Sequence, residues 1–421
     1  MKAILNILCI WIPFPKLRRG ARNKLANGVC FINDMFLSKR KYAKWIRDVK
    51  QDKSLFVPIT QIPFERKSTD VKIFAYYLTQ FHAIPENDLA HGKGFTEWTN
   101  VASVVPQFSG HWQPHVPYDV GFYNLLDINV MRRQAELAKM YGIYGWCFYY
   151  YWFSGRRVLE KPLENFLKSD IDMHFHFCWA NENWSKLWDG GNQEIILEQK
   201  YADDDAENFF HDILPYIKDS RYEKIDNKPV LIIYNIEKIP RKYLHQFKEK
   251  LDEMAIQNGF AGFFWGANPV NNFFDIKSVN FDVVVEFPPH ALMGLKNKMR
   301  SRLQNGARFT IKDVHRYIQN KAYFKNNDVH TFKACFPYWD NTARKLYSNA
   351  VIFDMYGDDF YQWLTDIIQW TKKNNPDNQQ YVYINAWNEW AEGAHLEPDT
   401  RHGYKNLGIV KRCLEEARKS N

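Results

Sequence analysis

No CxxC pair occurs among the six cysteines; Cys9, Cys30, Cys147, Cys178, Cys335 and Cys413 are dispersed along the chain. That argues against a disulfide framework and a cysteine-based zinc site, and it fits a reducing compartment. No GxGxxG or GxxxxGK[ST] run follows an apolar stretch, so the usual phosphate-cradling nucleotide folds are not indicated. There is no HExxH helix, internal repeat, low-complexity tract or long Pro/Gly linker. Acidic residues are few beside basic ones, 48 against 56, but a net charge of +8 over 421 residues is too mild for a nucleic-acid-binding stripe. A mean hydropathy of −0.50 excludes a polytopic membrane protein.

Aromatic residues are abundant, with 15 Trp, 24 Tyr and 31 Phe making 17% of the chain. They fit bulky core filling or carbohydrate stacking. The second reading gains weight because so many of them follow the ends of apolar runs. Hydrophobic residues at 46% support a real core, and the length suits one large domain or two ordinary ones.

From residue 70 onward, short apolar runs alternate with amphipathic stretches. Strands are predicted at 72–78, 143–149, 173–179, 229–234, 262–266, 281–287, 331–336 and 381–386. Helical patterns lie at 129–141, 159–167, 206–217, 241–258, 311–321 and 358–373. Strands alternating with helices imply parallel strands joined by crossovers. Eight such units point to an α/β fold, a (β/α)8 TIM-type barrel with enlarged loops. An open doubly wound sheet is the competing reading.

Polar and aromatic residues cluster after six of these runs. The first leads to Gln80 and His82, the second to Tyr149, Tyr151 and Trp152, and the third to Trp179, Asn181, Glu182 and Trp184. Glu286 and His290 follow the sixth, Trp339, Asp340 and Asn341 the seventh, and Asn388 and Glu389 the eighth. In a barrel these strand ends converge on the face that carries the active site. The richest cluster is the last, YVYINAWNEWAEGAHLEPD at 381–399, where Glu389 and Glu392 sit three residues apart among Asn388, Trp387 and Trp390. Glu can give or take a proton, Trp can stack on a pyranose face, and Asn can bond hydroxyls.

Five segments carry a resemblance: AYYLTQFHAIPENDLAHGKGFTEWTNV (75–101), FYYYWFSGRRVLEKPLE (148–164), FCWANENWSKLWDG (177–190), FPYWDNTAR (336–344) and INAWNEWAEGAHLEPD (384–399). In this order they look like the WbsX-type family of bacterial glycosyltransferases associated with O-antigen and other surface-polysaccharide synthesis. The resemblance covers residues of about 70 to 410. The family core resembles glycoside hydrolase family 99, a (β/α)8 barrel acting on α-mannosidic bonds, through WDN (339–341) and NEWxE (388–392). The resemblance implies a retaining reaction in which Glu389 is the base on the sugar 2-hydroxyl, giving a 1,2-anhydro intermediate, and Glu392 the general acid/base. Ala391 stands where family 99 commonly has His.

Each candidate has a plainer reading. Glu389 and Glu392 could be solvated loop acids; the strand-end position favours catalysis. Asn181, Glu182, Trp184 and Trp188 read as sugar recognition or as a cap on the next helix. Gln80, His82, Glu97 and Trp98 lie in a long loop that either binds substrate or only closes over the site. Tyr149, Tyr151, Trp179, Glu286, Trp339, Asp340, Asn341, Asn388 and Trp390 complete the expected substrate-binding set. His174 and His176 alternate on one strand face, but nothing completes a zinc site, so a satisfied interior pair is expected. Asp203–Asp205 forms a DxD, read as favourable acidic residues at a helix N-terminus. No metal or cofactor is expected.

The lead-in at 1–70 is expected to be a basic and apolar extension to a family 99-like catalytic domain at 71–415. Its apolar run at 3–12 is closed by Pro13 and Pro15 and followed by Lys16, Arg18, Arg19, Arg22 and Lys24. That run falls short of the roughly 20 residues a membrane span needs. A basic cluster stands where a secretory cleavage site would come. The segment fits peripheral contact with the cytoplasmic face of the inner membrane, or ordinary packing. A basic insertion at 291–325 holds Lys296, Lys298, Arg300, Arg302, Arg308, Lys312, Arg316, Lys321 and Lys325 against the single acid Asp313. It fits an anion site for a phosphorylated donor or anionic glycan, or a solvated helix face. The expected partners are a nucleotide- or polyprenyl-linked sugar donor and a glycan acceptor, with no nucleic acid. Transferase, endo-acting mannosidase-like hydrolase and non-catalytic glycan-binding barrel all remain open at this point.

Overall fold

Eight runs rich in aromatic and β-branched residues form parallel strands, named here β1 Lys72–Tyr77, β2 Gly145–Phe153, β3 His174–Trp179, β4 Lys228–Ile233, β5 Phe264–Ala267, β6 Val283–Val285, β7 Thr331–Cys335 and β8 Tyr381–Ile384. In this computed structural model each strand pairs with its chain neighbour, and β1 pairs with β8 as well as β2, so the sheet closes into a barrel. The structure describes residues 54–108, 110–185, 194–268, 280–302, 308–324, 329–345 and 349–419, with Leu17 and Ala21. Contacts divide the chain into two units, Met1–Asp52 with Pro106–Trp112, and Lys53–Val105 with Gln113–Asn421. In the first, the His111 ring stacks on Phe108 at 4.4 Å. The second holds the barrel.

All eight sequence-predicted strands are found. They read as nearly continuous apolar runs because helices cover one face and side chains fill the other. Strand β2 shows the division. Trp146 and Phe148 turn outward onto Phe166, and Tyr150 and Trp152 onto Phe209. Tyr149 turns inward to Tyr76. Gly145 opens this strand because a Cβ there would lie 2.6 Å from the His174 carbonyl oxygen.

The outer helices are α1 Pro85–His91, α2 Glu97–Ser103, α3 Ile128–Met140, α4 Lys161–Lys168, α5 Asp205–Ile217, α6 Arg241–Gln257, α7 Val314–Gln319, α8 Asp359–Asn374 and α9 Lys405–Ala417. Asp127 caps α3 by accepting from the Asn129 amide. Asp205, in the DxD run, is buried and accepts from Ser154 Oγ, Tyr243 Oη and the Ala202 amide, so its carboxylate is a structural anchor. The expected helix at 311–321 is shorter, because Arg308–Lys312 is a strand. It pairs with Asn297–Arg302 and with Ala350–Phe353 in a three-stranded sheet, so much of the basic insertion is ribbon rather than helix. Alternating basic and apolar residues suit a ribbon with one solvated face.

Most of the lead-in lies outside the described residues. Residues 54–70 pack on the barrel: the Val57 amide bonds the His402 carbonyl, and Asp70 pairs with Arg418. Among the described residues no helix is long and apolar enough to cross a membrane.

Candidate active site

At the C-terminal ends of the strands lies a cavity of ≈ 260 Å³. Nine of the sequence-predicted residues line it: Gln80, Tyr149, Tyr151, Glu182, Trp184, Trp339, Asn341, Glu389 and Glu392. They come from loops after β1, β3, β7 and β8 and from the end of β2 itself. Clusters as far apart in sequence as 182–184, 339–341 and 389–392 thus meet in one pocket.

The loop after β8 is built to hold its two acids. Asn388 and Glu389 pair antiparallel with Ala394 and His395, and residues 390–392 form a single 3-10 turn between them. Gly393 closes the turn with φ +67°, and a Cβ there would sit 3.1 Å from the Asp340 amide nitrogen. That amide donates to the Glu392 carbonyl at 2.8 Å, tying the loop after β7 to the loop after β8.

Arg344 stands at the centre of the charges. Its Nη1 donates to Glu392 Oε1 at 2.8 Å, and its Nη2 donates to Glu389 Oε2 at 3.0 Å and to Glu97 Oε1. One guanidinium therefore faces three carboxylates, with Glu97 and Glu389 buried and the Glu392 side chain 18% exposed. Burial pushes the Glu389 carboxyl up to about 8; Arg344 opposes the rise, and Glu392 and Glu97 add to it. Desolvation outweighs the ion pair, so Glu389 is mostly protonated at neutral pH.

Facing the acids is an aromatic wall of Tyr149, Tyr151, Trp184, Tyr234, Phe287 and Trp339. The three tyrosines are held well above their ordinary range, chiefly by burial, so they stay neutral hydroxyls. Tyr234 Oη lies 2.5 Å from His290 Nε2, and burial lowers that imidazole to about 4. Neutral His290 and the tyrosine hydroxyl thus share a hydrogen bond whose direction is set by the imidazole tautomer. The Trp339 indole N–H is buried and has no hydrogen-bond partner among the described residues.

The remaining predicted residues that the structure describes do not line the cavity. Trp179 points outward by strand alternation, packing on Phe209 and Phe247. Glu286 also faces the helices, paired with Lys333 at 2.7 Å, while its neighbour Phe287 turns in. Asn181 exchanges two hydrogen bonds with the Asn235 backbone, and Asn388 does the same with Leu78. Both amides replace backbone pairing where strands end. Trp390 stacks on His395 at 3.8 Å and donates to Glu397. Trp98 donates to the Tyr123 carbonyl and packs on Phe81. His82 binds the Thr79 carbonyl, and burial lowers its ring to about 4. Asp340 accepts from the Thr342 amide. Glu97 reaches the site through Arg344. Trp188 lies outside the described residues.

Of His174 and His176, only the second is interior, with Nε2 3.0 Å from Tyr383 Oη. His174 is partly exposed at 3.5 Å from Glu223. No group of three His, Cys, Asp or Glu that could hold a metal occurs among the described residues.

Sequence reasoning missed Arg344, Lys345 and Tyr234 as lining residues. Tyr234 follows directly on β4 and was open to the same strand-end rule as its neighbours. Arg344 closes the FPYWDNTAR segment, and two nearby acids with no assigned cation were the available signal. Glu397 was also missed. It is buried and accepts from Trp390 Nε1, Gln134 Nε2 and Tyr123 Oη, and burial raises it to about 7. It anchors the tryptophan between the two cavity acids.

The chain is 35% identical over 350 residues to WxcX, an uncharacterised protein of Xanthomonas campestris pv. campestris strain B100. The WxcX of a second strain of that pathovar matches at the same identity. The match covers 82% of this chain, and the chain spans about half the length of these relatives. Among solved structures, a GH99 endo-alpha-mannosidase from Bacteroides thetaiotaomicron, in complex with BIS-TRIS-propane, matches at 12% identity with a TM-score of 0.48, over 85% of this chain and 99% of that one. A glycoside hydrolase-like protein matches at 13% identity and a TM-score of 0.49, over 86% of this chain and 98% of that one. The family model described as glycosyltransferase WbsX matches residues 73–410, every barrel strand but the first residue of β1 included, and the chain belongs to that family.

Proposed function

We propose that this chain is a retaining glycosyltransferase that builds a bacterial surface polysaccharide, with Glu389 and Glu392 as its reacting carboxyls. The observation that carries the reading is the pair itself: two acids on one short turn, sharing Arg344, opposite an aromatic wall in a single cavity. On the roles implied by the family resemblance, Glu389 takes the proton of the donor 2-hydroxyl as O2 attacks C1. The bond from C1 to the leaving group breaks, and Glu392 protonates the departing oxygen where it needs a proton. An acceptor hydroxyl then gives its proton to Glu392 and attacks C1, and O2 recovers its proton from Glu389. Trp339 offers its indole N–H to a sugar hydroxyl, and the tyrosines supply neutral hydroxyls beside apolar ring faces.

The expected substrates are a nucleotide- or polyprenyl-linked donor and a glycan acceptor, met on the cytoplasmic side. The test is incubation with candidate donors, with and without acceptor, followed by mass spectrometry. Acceptor-dependent product from the wild type, lost in Glu389→Gln and in Glu392→Gln, supports transfer. Free sugar from an unphosphorylated glycan without acceptor makes the protein a hydrolase. Tight glycan binding unchanged by Glu389→Gln, with no product under any condition, leaves a binding barrel. The pH profile checks the roles. A base that deprotonates near 8 gives kcat/KM rising with pH through that value; a fall there would exchange the two glutamates.

A further inference from the structure

The basic ribbon has two unlike faces. The cross-strand register sets Arg300 opposite Thr310 and Arg302 opposite Arg308. Residues 300, 308, 310 and 312 therefore share one face, and Met299, Ser301, Phe309 and Ile311 the other. Among the described side chains this face carries three cations, Arg300, Arg308 and Lys312, and no acid. Arg300 and Arg308 are exposed, and neither has a carboxylate partner among the described residues. The nearest acids are engaged elsewhere: Asp354 pairs with Lys298, and Asp313 caps α7. Cations that share a face without carboxylate partners repel one another. The arrangement is one that a bound anion would relieve.

This cationic face is also the one continuous with the cavity wall. Lys312 pairs with Phe353 of the third strand, so the two point to the same side, and Phe353 packs 6.2 Å from cavity-lining Trp339. Lys312 Nζ donates to the carbonyls of Met293 and Leu295, and Met293 lines the cavity. On the far edge, Asn341 Oδ1 accepts from the Val351 amide at 2.7 Å, and Asn341 lines the cavity as well. Three ties thus fix the Lys312 end of the ribbon and its partner strand beside the site.

We propose that the cationic face of this ribbon holds the diphosphate of the sugar donor while the sugar occupies the cavity. The inference rests on the transferase reading above and names its donor class as a glycosyl diphosphate ester. A diphosphate leaves as an anion, so charge neutralisation at the rim serves its departure better than a proton does. An uncharged glycan would leave this face without a ligand.

The test is calorimetric titration of the full chain with inorganic pyrophosphate, UDP, GDP and farnesyl diphosphate. The wild type is expected to bind at least one of them. Arg300→Glu/Arg308→Glu is expected to weaken that affinity tenfold or more with no loss in Tm, and Arg300→Lys/Arg308→Lys to restore most of it. Preference for farnesyl diphosphate over pyrophosphate marks a lipid-linked donor, and preference for UDP or GDP a nucleotide-linked one. Equal affinity for all four supports recognition of the diphosphate alone. Binding to none of them, or equal affinity in wild type and double Glu variant, overturns the proposal. So does a double variant that loses binding only to phosphatidylglycerol vesicles. Glu389→Gln separates this inference from the reading beneath it. Lost turnover with retained diphosphate binding supports both, whereas retained turnover removes the glutamate mechanism without touching the ribbon.

Discussion

Replacing Glu389 with Gln should change how stability depends on pH, independently of any substrate. The carboxyl has an ordinary value of 4.5, and burial raises it to about 8 in the folded chain. Between those values the folded state holds a proton that the unfolded state has released, so stability falls as pH rises. The whole displacement is worth about 5 kcal/mol above pH 8, and the part between pH 6.5 and 8 about 2 kcal/mol. Gln keeps the shape and can still accept from Arg344, but it does not titrate. Urea unfolding of both proteins at four pH values across that window isolates the effect. Glu397, raised to about 7, falls in the same window, but it titrates alike in both proteins and cancels in their difference. His82, His176, His290 and His395 are each lowered to about 4. Their contribution is lost as pH falls below about 6.5, with the opposite sign, and it cancels too. The variant should therefore gain about 2 kcal/mol on the wild type from pH 6.5 to 8. Parallel curves would refute both the desolvated Glu389 and the account of the site built on it.

Arg344→Met leaves three acids without the guanidinium they share; turnover should fall at least about a hundredfold and stability by about 3–5 kcal/mol at pH 8, less at pH 5, by urea unfolding and steady-state rates. Trp339→Ala removes a cavity wall and an unpartnered N–H, and should raise KM for the sugar substrate about tenfold with a smaller change in kcat. Glu397→Gln turns an amide N–H₂ toward groups that already donate, so unfolding should cost about 1–3 kcal/mol less, with kcat lowered as Trp390 loses its anchor.

The barrel was legible because its signal is repeated. Each strand is buried on both faces, so runs such as GWCFYYYWF stand out as unbroken apolar stretches. The ribbon was not legible, because Arg308–Lys312 alternates basic and apolar residues over only five positions, too few to separate strand from helix. The short helices α1 and α2 fell inside a loop whose spacing carried no strand signal.

The site was half legible for a related reason. A strand-end rule finds the neighbourhood of a pocket, but alternation decides which residue enters it. Tyr149 and Tyr151 face in while Tyr150 and Trp152 face out, and no property of the residue types distinguishes them. The amides Asn181 and Asn388 look like sugar ligands in sequence and prove to be strand-end clamps. Arg344 is the harder case. Its importance comes from charge balance across Glu97, Glu389 and Glu392, residues spread over nearly three hundred positions. The Arg344 guanidinium faces all three acids in a buried setting, and at Glu389 desolvation outweighs its attraction. That desolvation, to which Glu392 and Glu97 add, is what keeps Glu389 protonated at rest and makes it a strong base once the proton leaves. The stability lost in ionising Glu389 and the reactivity proposed for it have the same origin.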